Sequence, residues 1–135
     1  MASGFYSGPE FNNPRAPAAR FNFTQTQRDQ IADFMRAINT LQNVDVAQRE
    51  LQEILANRSD PAKEQETRLQ TAFDETQDGI DVLTEGGIFP SAVTHLTEAR
   101  NLIAQAQGDA GNRRTLVQQA VTKLGQARNI VAAVS

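Results

Sequence analysis

The 135-residue chain contains no cysteine. That absence excludes disulfides, thiolate metal sites, cysteine nucleophiles and the covalent attachment of a c-type haem. It leaves the redox compartment open, because a cysteine-free chain is stable in either. There is no tryptophan and one tyrosine, against seven phenylalanines. Alanine, leucine, isoleucine and valine must therefore fill most of any core, as they do in close-packed helical bundles. No apolar run approaches the roughly 20 residues that span a bilayer. The first residues, Met1 to Gly8, have neither a basic end nor an apolar block, so no signal peptide is expected there. A formal charge of −3 offers no general attraction to nucleic acid or to an anionic membrane.

Catalytic constellations are equally scarce. The one histidine, His95, has Ala92 three residues before it, so the Glu-x-x-His pairs of a di-metal carboxylate bundle are missing. His95 falls beside Leu96, off the apolar stripe, and is expected at an exposed or boundary position. No nucleophile elbow accompanies any serine. Gly86-Gly87 follows no strand and precedes no lysine at Walker spacing. The basic residues do not interleave with aromatics, as single-strand nucleic-acid stacking requires. Met35 lies in an apolar stripe, where methionine fills space. No catalytic, cofactor-binding or metal-binding residue is assigned, no cofactor is expected, and the chain is not expected to be an enzyme.

What is abundant is helix formers: Gln, Ala, Arg and Glu. Residues 1–22 stand apart, with Pro9, Pro14 and Pro17 breaking any period. They carry Phe5, Tyr6, Phe11 and Phe21, more aromatics than a free tail usually has. An extended arm is predicted, docking Phe5, Tyr6 and Phe11 on its own helices or on a partner, with disorder as the alternative. From residue 23 to 135 the sequence reads as helix. Thr24 and Gln27 have capping-box spacing. Ile31, Phe34, Met35, Ile38 and Leu41 form one apolar stripe, with Asp29, Asp33 and Arg36 on the other side. An end near Gln42 or Asn43 is expected, then a second helix capped by Asp45 with Val46, Leu51, Ile54 and Leu55 as its apolar face. No Gly or Pro separates the two, so one bent helix is the alternative.

A third helix opens at Ser59-Asp60-Pro61, buries Leu69, Ala72, Phe73, Thr76, Ile80 and Leu83, and stops at Gly86-Gly87. Gly79 weakens its middle by about 1 kcal/mol against alanine, which suits a close helix contact. A fourth begins at Ile88-Phe89-Pro90-Ser91, with Val93, Leu96, Ala99, Leu102, Ile103 and Ala106 as its stripe. Gly108 ends it. After the turn at 109–112 a fifth carries Leu116, Val117, Ala120, Val121, Leu124, Ala127, Ile130, Val131 and Val134. The fold class predicted is all-α, an up-and-down bundle of four to five helices with an extended N-terminal arm.

Two patterns cross helix boundaries. Residues 92–104 align without gaps on 120–132, with eight identities, through internal duplication or through convergence of alanine-rich bundle helices. Between Asp60 and Glu85 eight acids face only Lys63 and Arg68, whereas residues 109–135 hold Asp109 against Arg113, Arg114, Lys123 and Arg128. These helices are expected to be bundle neighbours paired by charge; the alternative is an acidic face offered to a basic partner. Arg113-Arg114 is poorly placed for phosphate but suits an acidic patch.

The first helix resembles the C-terminal end of bacterial dihaem cytochrome c peroxidases and the related methylamine-utilisation type oxidases. The likeness runs through Phe23-Thr24-Gln25-Thr26-Gln27-Arg28 and Ala32-Asp33-Phe34-Met35-Arg36-Ala37-Ile38-Asn39-Thr40-Leu41, about twenty residues. Asp78-Gly79-Ile80-Asp81-Val82-Leu83 and Gly87-Ile88-Phe89-Pro90 suit the helical extension of longer relatives. The family's Cys-x-x-Cys-His segments are absent, so none of its catalytic residues carries over. The resemblance implies a non-catalytic helical subunit or C-terminal fragment that packs against a c-type cytochrome or peroxidase-like protein, in the periplasm or otherwise outside the cytoplasm. The alternative is a self-assembling scaffold bundle, in which case the chain is cytoplasmic.

Overall fold

A computed structural model describes residues 22–57 and 59–133. The predicted arm and its Phe5, Tyr6 and Phe11, together with Val134, lie outside the described residues. The chain divides into two compact units, residues 1–32 and 33–135. Four helices account for most of the described residues: α1 (Gln25–Ala56), α2 (Ala62–Gly86), α3 (Pro90–Gly108) and α4 (Arg113–Ala132).

In the first unit the capping box forms as spaced. The Gln27 amide donates to Thr24 Oγ1 at 3.1 Å, and the Thr24 amide donates to Gln27 Oε1 at 2.9 Å. Two of the helix's orphan donors are thereby satisfied reciprocally. Phe23 and Ile31 are exposed.

The second unit is an up-and-down four-helix bundle. The connections 57–61, 87–89 and 109–112 are short, so consecutive helices run antiparallel. Contacts close the ring. Arg68 on α2 pairs with Glu50 on α1 at 3.0 Å. Arg100 on α3 donates to Gln77 Oε1 on α2 at 2.8 Å. Lys123 on α4 pairs with Glu98 on α3 at 3.1 Å, and Arg128 on α4 with Asp45 on α1 at 2.8 Å.

Helices one and two of the sequence expectation are one helix. The buried positions Ala37, Thr40, Val44, Ala47, Leu51 and Ile54 repeat at alternating spacings of three and four. That repeat runs unbroken through the proposed boundary, and no helix breaker interrupts it. Asp45 is no cap: it is an outward position whose carboxylate is taken by Arg128. The other helices keep the same alternation: Leu69, Ala72, Thr76, Gly79, Leu83; Ala92, Leu96, Ala99, Ile103, Ala106; Arg113, Val117, Ala120, Leu124, Ala127, Val131. A sustained 3–4 repeat is the seam of helices that wrap around one another. Small residues recur every seventh place, at Ala92, Ala99 and Ala106 and at Ala72 and Gly79, which lets the backbones approach closely.

Two buried threonines occupy seam positions without leaving a polar atom unpaired. Thr40 Oγ1 donates to the Arg36 carbonyl at 2.8 Å and Thr76 Oγ1 to the Ala72 carbonyl at 2.7 Å, the back-bonding that makes a hydroxyl tolerable inside a helical core. Gly79 is buried beside them. A Cβ built on it would stand 3.6 Å from both Leu96 Cδ1 and Thr40 Cγ2, which is ordinary van der Waals contact. The site therefore has room for a methyl. Gly79→Ala is expected to stabilise the fold by about 1 kcal/mol through helix propensity, read as a raised denaturant midpoint; a lowered midpoint would show that the approach is tighter than these distances.

The ends of α2 and α3 are set by local chemistry. Gly87 adopts φ 64°, ψ 31°, its amide donates to the Thr84 carbonyl, and the Ile88 amide donates to the Leu83 carbonyl. This is a Schellman motif with glycine at C′. Phe89 then enters the left-handed region at φ 53° directly before Pro90. A bulky side chain is strained there, and packing of Phe89 against the core holds it. No side-chain cap forms at the predicted opening Ser59-Asp60-Pro61. Pro61 occupies the N-cap position, with no side-chain cap bond, and Asp60 instead lends its carbonyl to Gln65 Nε2 at 3.1 Å.

Candidate functional site

The apolar stripe predicted along the first helix is buried only in part. Phe34 and Met35 are 50% and 55% exposed, while burial on α1 begins at Ala37 and Ile38 is half-buried. The seam of α1 runs through Ala37, Thr40 and Val44, and Phe34 and Met35 precede its first buried turn. Elsewhere in the bundle the apolar seam residues are 8% exposed or less. Phe34 and Met35 are thus large apolar side chains that the bundle leaves in water, next to each other in the chain and at the start of the packed part of α1. They carry no chemistry of their own. What they offer is contact area with the adaptability of a thioether beside an aromatic ring.

His95 lies at the boundary, as expected. Its Nδ1 stands 3.6 Å from Glu98 Oε1, beyond hydrogen-bond reach, and that atom is buried without a hydrogen-bond partner. Glu98 Oε1 instead takes Lys123 Nζ. The Lys123 hydrogen bond, more than the nearby His95, holds the Glu98 carboxyl below its usual range. The three side chains bridge α3 and α4 on the outer surface. Among the described residues no group of three His, Cys, Asp or Glu side chains is arranged to hold a metal ion, and no helix is long and apolar enough to cross a membrane.

The charge pattern is resolved differently from the expectation of neighbouring acidic and basic helices. In the ring of contacts α2 and α4 stand diagonally, each packed on α1 and α3, and they meet at the start of α4, where Arg113 reaches Gln65 and Glu66 of α2. Asp74, Glu75, Asp78, Asp81 and Glu85 have no ion pair among the described residues; Asp74 and Asp81 accept hydrogen bonds from Gln70 and Gln77. Partial burial, then Asp78 and Asp74, raise the Glu75 carboxyl above its usual value. A carboxyl raised in the folded state costs stability once ionised, so the cost is absent at low pH and fully present at neutral pH. Glu75→Gln is expected to raise the melting temperature at pH 7 and to leave it unchanged at a pH below the ordinary glutamate range. An equal gain at both pH values would remove ionisation as the cause.

Arg113 and Arg114 are structural rather than an exposed basic pair. Arg113 is 6% exposed; its Nε donates to the Ala106 carbonyl at 3.0 Å and Nη2 to the Gln107 carbonyl at 3.4 Å, in the last turn of α3. Arg114 Nη1 donates to the Leu55 carbonyl in the last turn of α1 at 3.0 Å. Each guanidinium closes the C-terminus of a neighbouring helix, where carbonyls lack partners and the dipole favours a cation. Composition alone could not show this, because the carbonyls concerned are seven and 59 residues away.

The aligned segments 92–104 and 120–132 occupy the same surroundings. Their degree of burial agrees at twelve of thirteen positions, Ala104 against Ala132 excepted. Thr94 and Thr122 both donate to the carbonyl four residues back. Arg100 and Arg128 each reach the neighbouring helix outside the α3–α4 pair, α2 and α1 respectively. Equivalent places in the bundle account for the repeated pattern whichever way it arose.

No protein-family model matches the chain, and no curated protein or solved structure is significantly similar to it.

Proposed function

We propose that this chain is a non-catalytic helical subunit that binds another protein through α1, and that the partner is a c-type haem protein of the electron-transfer or peroxidase-like kind, met outside the cytoplasm. The observation that carries the binding role is the exposure of Phe34 and Met35 in a bundle whose seam is otherwise closed. The choice of partner rests on the resemblance of residues 23–41 to the C-terminal helix of dihaem peroxidases, a stretch that contains both side chains. Covering the exposed halves of the two would contribute roughly 1 kcal/mol each, about half of what fully burying such a side chain contributes.

The test is binding of the full-length chain to a c-type cytochrome from its native source. The chain alone is expected to show no Soret absorption. The double variant Phe34→Ser, Met35→Ser is expected to weaken the complex about thirtyfold, from about 2 kcal/mol of lost apolar burial, with an unchanged melting temperature. Equal affinity of the variant would remove α1 as the docking element, and haem bound by the isolated chain would remove the non-catalytic assignment. A self-assembling scaffold is the second reading, because the same exposed pair suits a second copy; light scattering that shows an oligomer lost in the double variant would select it.

A further inference from the structure

The end of the bundle that gathers Arg113 and Arg114 also holds a cavity of about 170 Å³, lined by Ile54, Gln65, Ala110, Arg113 and Arg114. Two guanidinium groups share it. Arg113 commits its Nε fully, but its outer edge is loosely held: Nη1 lies 3.4 Å from Gln65 Oε1, Nη2 lies 3.4 Å from the Gln107 carbonyl, and the nearest carboxylate, Glu66, is 3.9 Å away and 58% exposed. Arg114 uses one donor on the Leu55 carbonyl and has no ion pair among the described residues. A guanidinium carries five N–H donors in a planar fork, so each retains donors beyond its capping bonds. The starts of α2 and α4 meet at the same end, and neither has a side-chain cap. Arg113 is nearly buried, its outer donors make only long bonds and its counter-charge is distant, so an added anion would strengthen its pairing.

The lining of this solvent-open pocket favours one kind of anion. Ile54 and Ala110 make part of its wall apolar, while the guanidinium forks suit the two oxygens of a carboxylate. We infer that this pocket binds a short-chain carboxylate, with the carboxylate oxygens on Arg113 and Arg114 and the alkyl end against Ile54 and Ala110. The site is independent of Phe34 and Met35 and of any protein partner.

The experiment is a nitrogen-15 NMR titration of the full-length chain with sodium propionate, with sodium phosphate and sodium chloride as matched salts. Propionate is expected to give saturable shifts centred on the amides of Gln65, Ala110 and Arg113, and chloride none of that form. Arg114→Gln removes the charge and the guanidinium fork, and is expected to weaken propionate about tenfold, as for a hydrogen bond to a charged group. Ala110→Leu fills the cavity from an exposed turn and is expected to abolish binding. Non-saturating shifts, shifts spread over the surface, or unchanged affinity in Arg114→Gln would overturn the site. Phosphate that binds as tightly as propionate would overturn the carboxylate assignment. Should Arg114→Gln not fold, unchanged affinity in Ala110→Leu overturns the site by itself.

Discussion

Truncation of Leu124 to alanine is expected to cost 2–5 kcal/mol, and the upper part of that range is expected here. Leu124 is fully buried at the middle of the α4 seam. The seam positions flanking it on its own helix are Ala120 and Ala127. Alanines have no rotamers to swing, so they cannot move into the space that the isobutyl group vacates, and the cavity persists. The transfer term of the lost methyl and methylene groups is about 0.8 kcal/mol each, and the cavity term adds to it. Against a total stability of about 5–15 kcal/mol for a domain, this single change removes a large share. Chemical denaturation of Leu124→Ala measures it. Leu96→Ala, at the aligned position of α3 and equally buried, should cost a similar amount, since the two helices share their surroundings. A loss below 1 kcal/mol for Leu124 would mean that the bundle collapses around the gap and that its small-residue seam is softer than the packing implies.

The second large effect is expected at Arg113. Arg113→Ala removes three donors from the last turn of α3 and from Gln65, so the Ala106 and Gln107 carbonyls lose their side-chain partner. An unsatisfied buried group costs about 1–3 kcal/mol, and the stem of the arginine is packed as well as charged. A loss of about 2–3 kcal/mol is therefore expected. Burying a guanidinium also has a desolvation cost, which its removal recovers. Arg113→Met separates these contributions, because it keeps most of the stem and discards the donors and the charge. The methionine variant is expected to lie between the parent and Arg113→Ala. If it matches the parent, the capping bonds only offset the desolvation of the charge; if it matches alanine, the donors and not the stem are what α3 needs.

Leu124 and Arg113 differ in how far the sequence reveals their surroundings. The leucine seam was legible: Leu96, Leu124 and their alanine neighbours lie at helical spacing, and side chains that share a helix face must be buried together. The arginine was not. A charged pair at a helix start looks like a solvated surface until the chain brings the ends of α1 and α3 beside it. The exposed Phe34 and Met35 were misplaced for a related reason. Period alone puts them on one stripe with Ile38 and Leu41, but a stripe is buried only as far as there is a partner helix to cover it, and burial on α1 starts at Ala37.

The sequence by itself determined what is local. Capping at Thr24–Gln27, the stop at Gly87, the proline start of α3, the turn closed by Asp109 and Asn112, and the all-α class follow from hydrogen bonds and torsional preferences within a few residues. Tertiary structure decided what depends on distant neighbours. It joined two expected helices into α1, because a continuous seam with no breaker gains more from packing than a break at Asn43 would. It set acidic α2 diagonal to basic α4, because burial of the seams, at kilocalories per side chain, outweighs exposed charge pairs worth about 0–1 kcal/mol. It also turned Arg113 and Arg114 inward, because the carbonyls that end α1 and α3 have no partners of their own until the bundle closes.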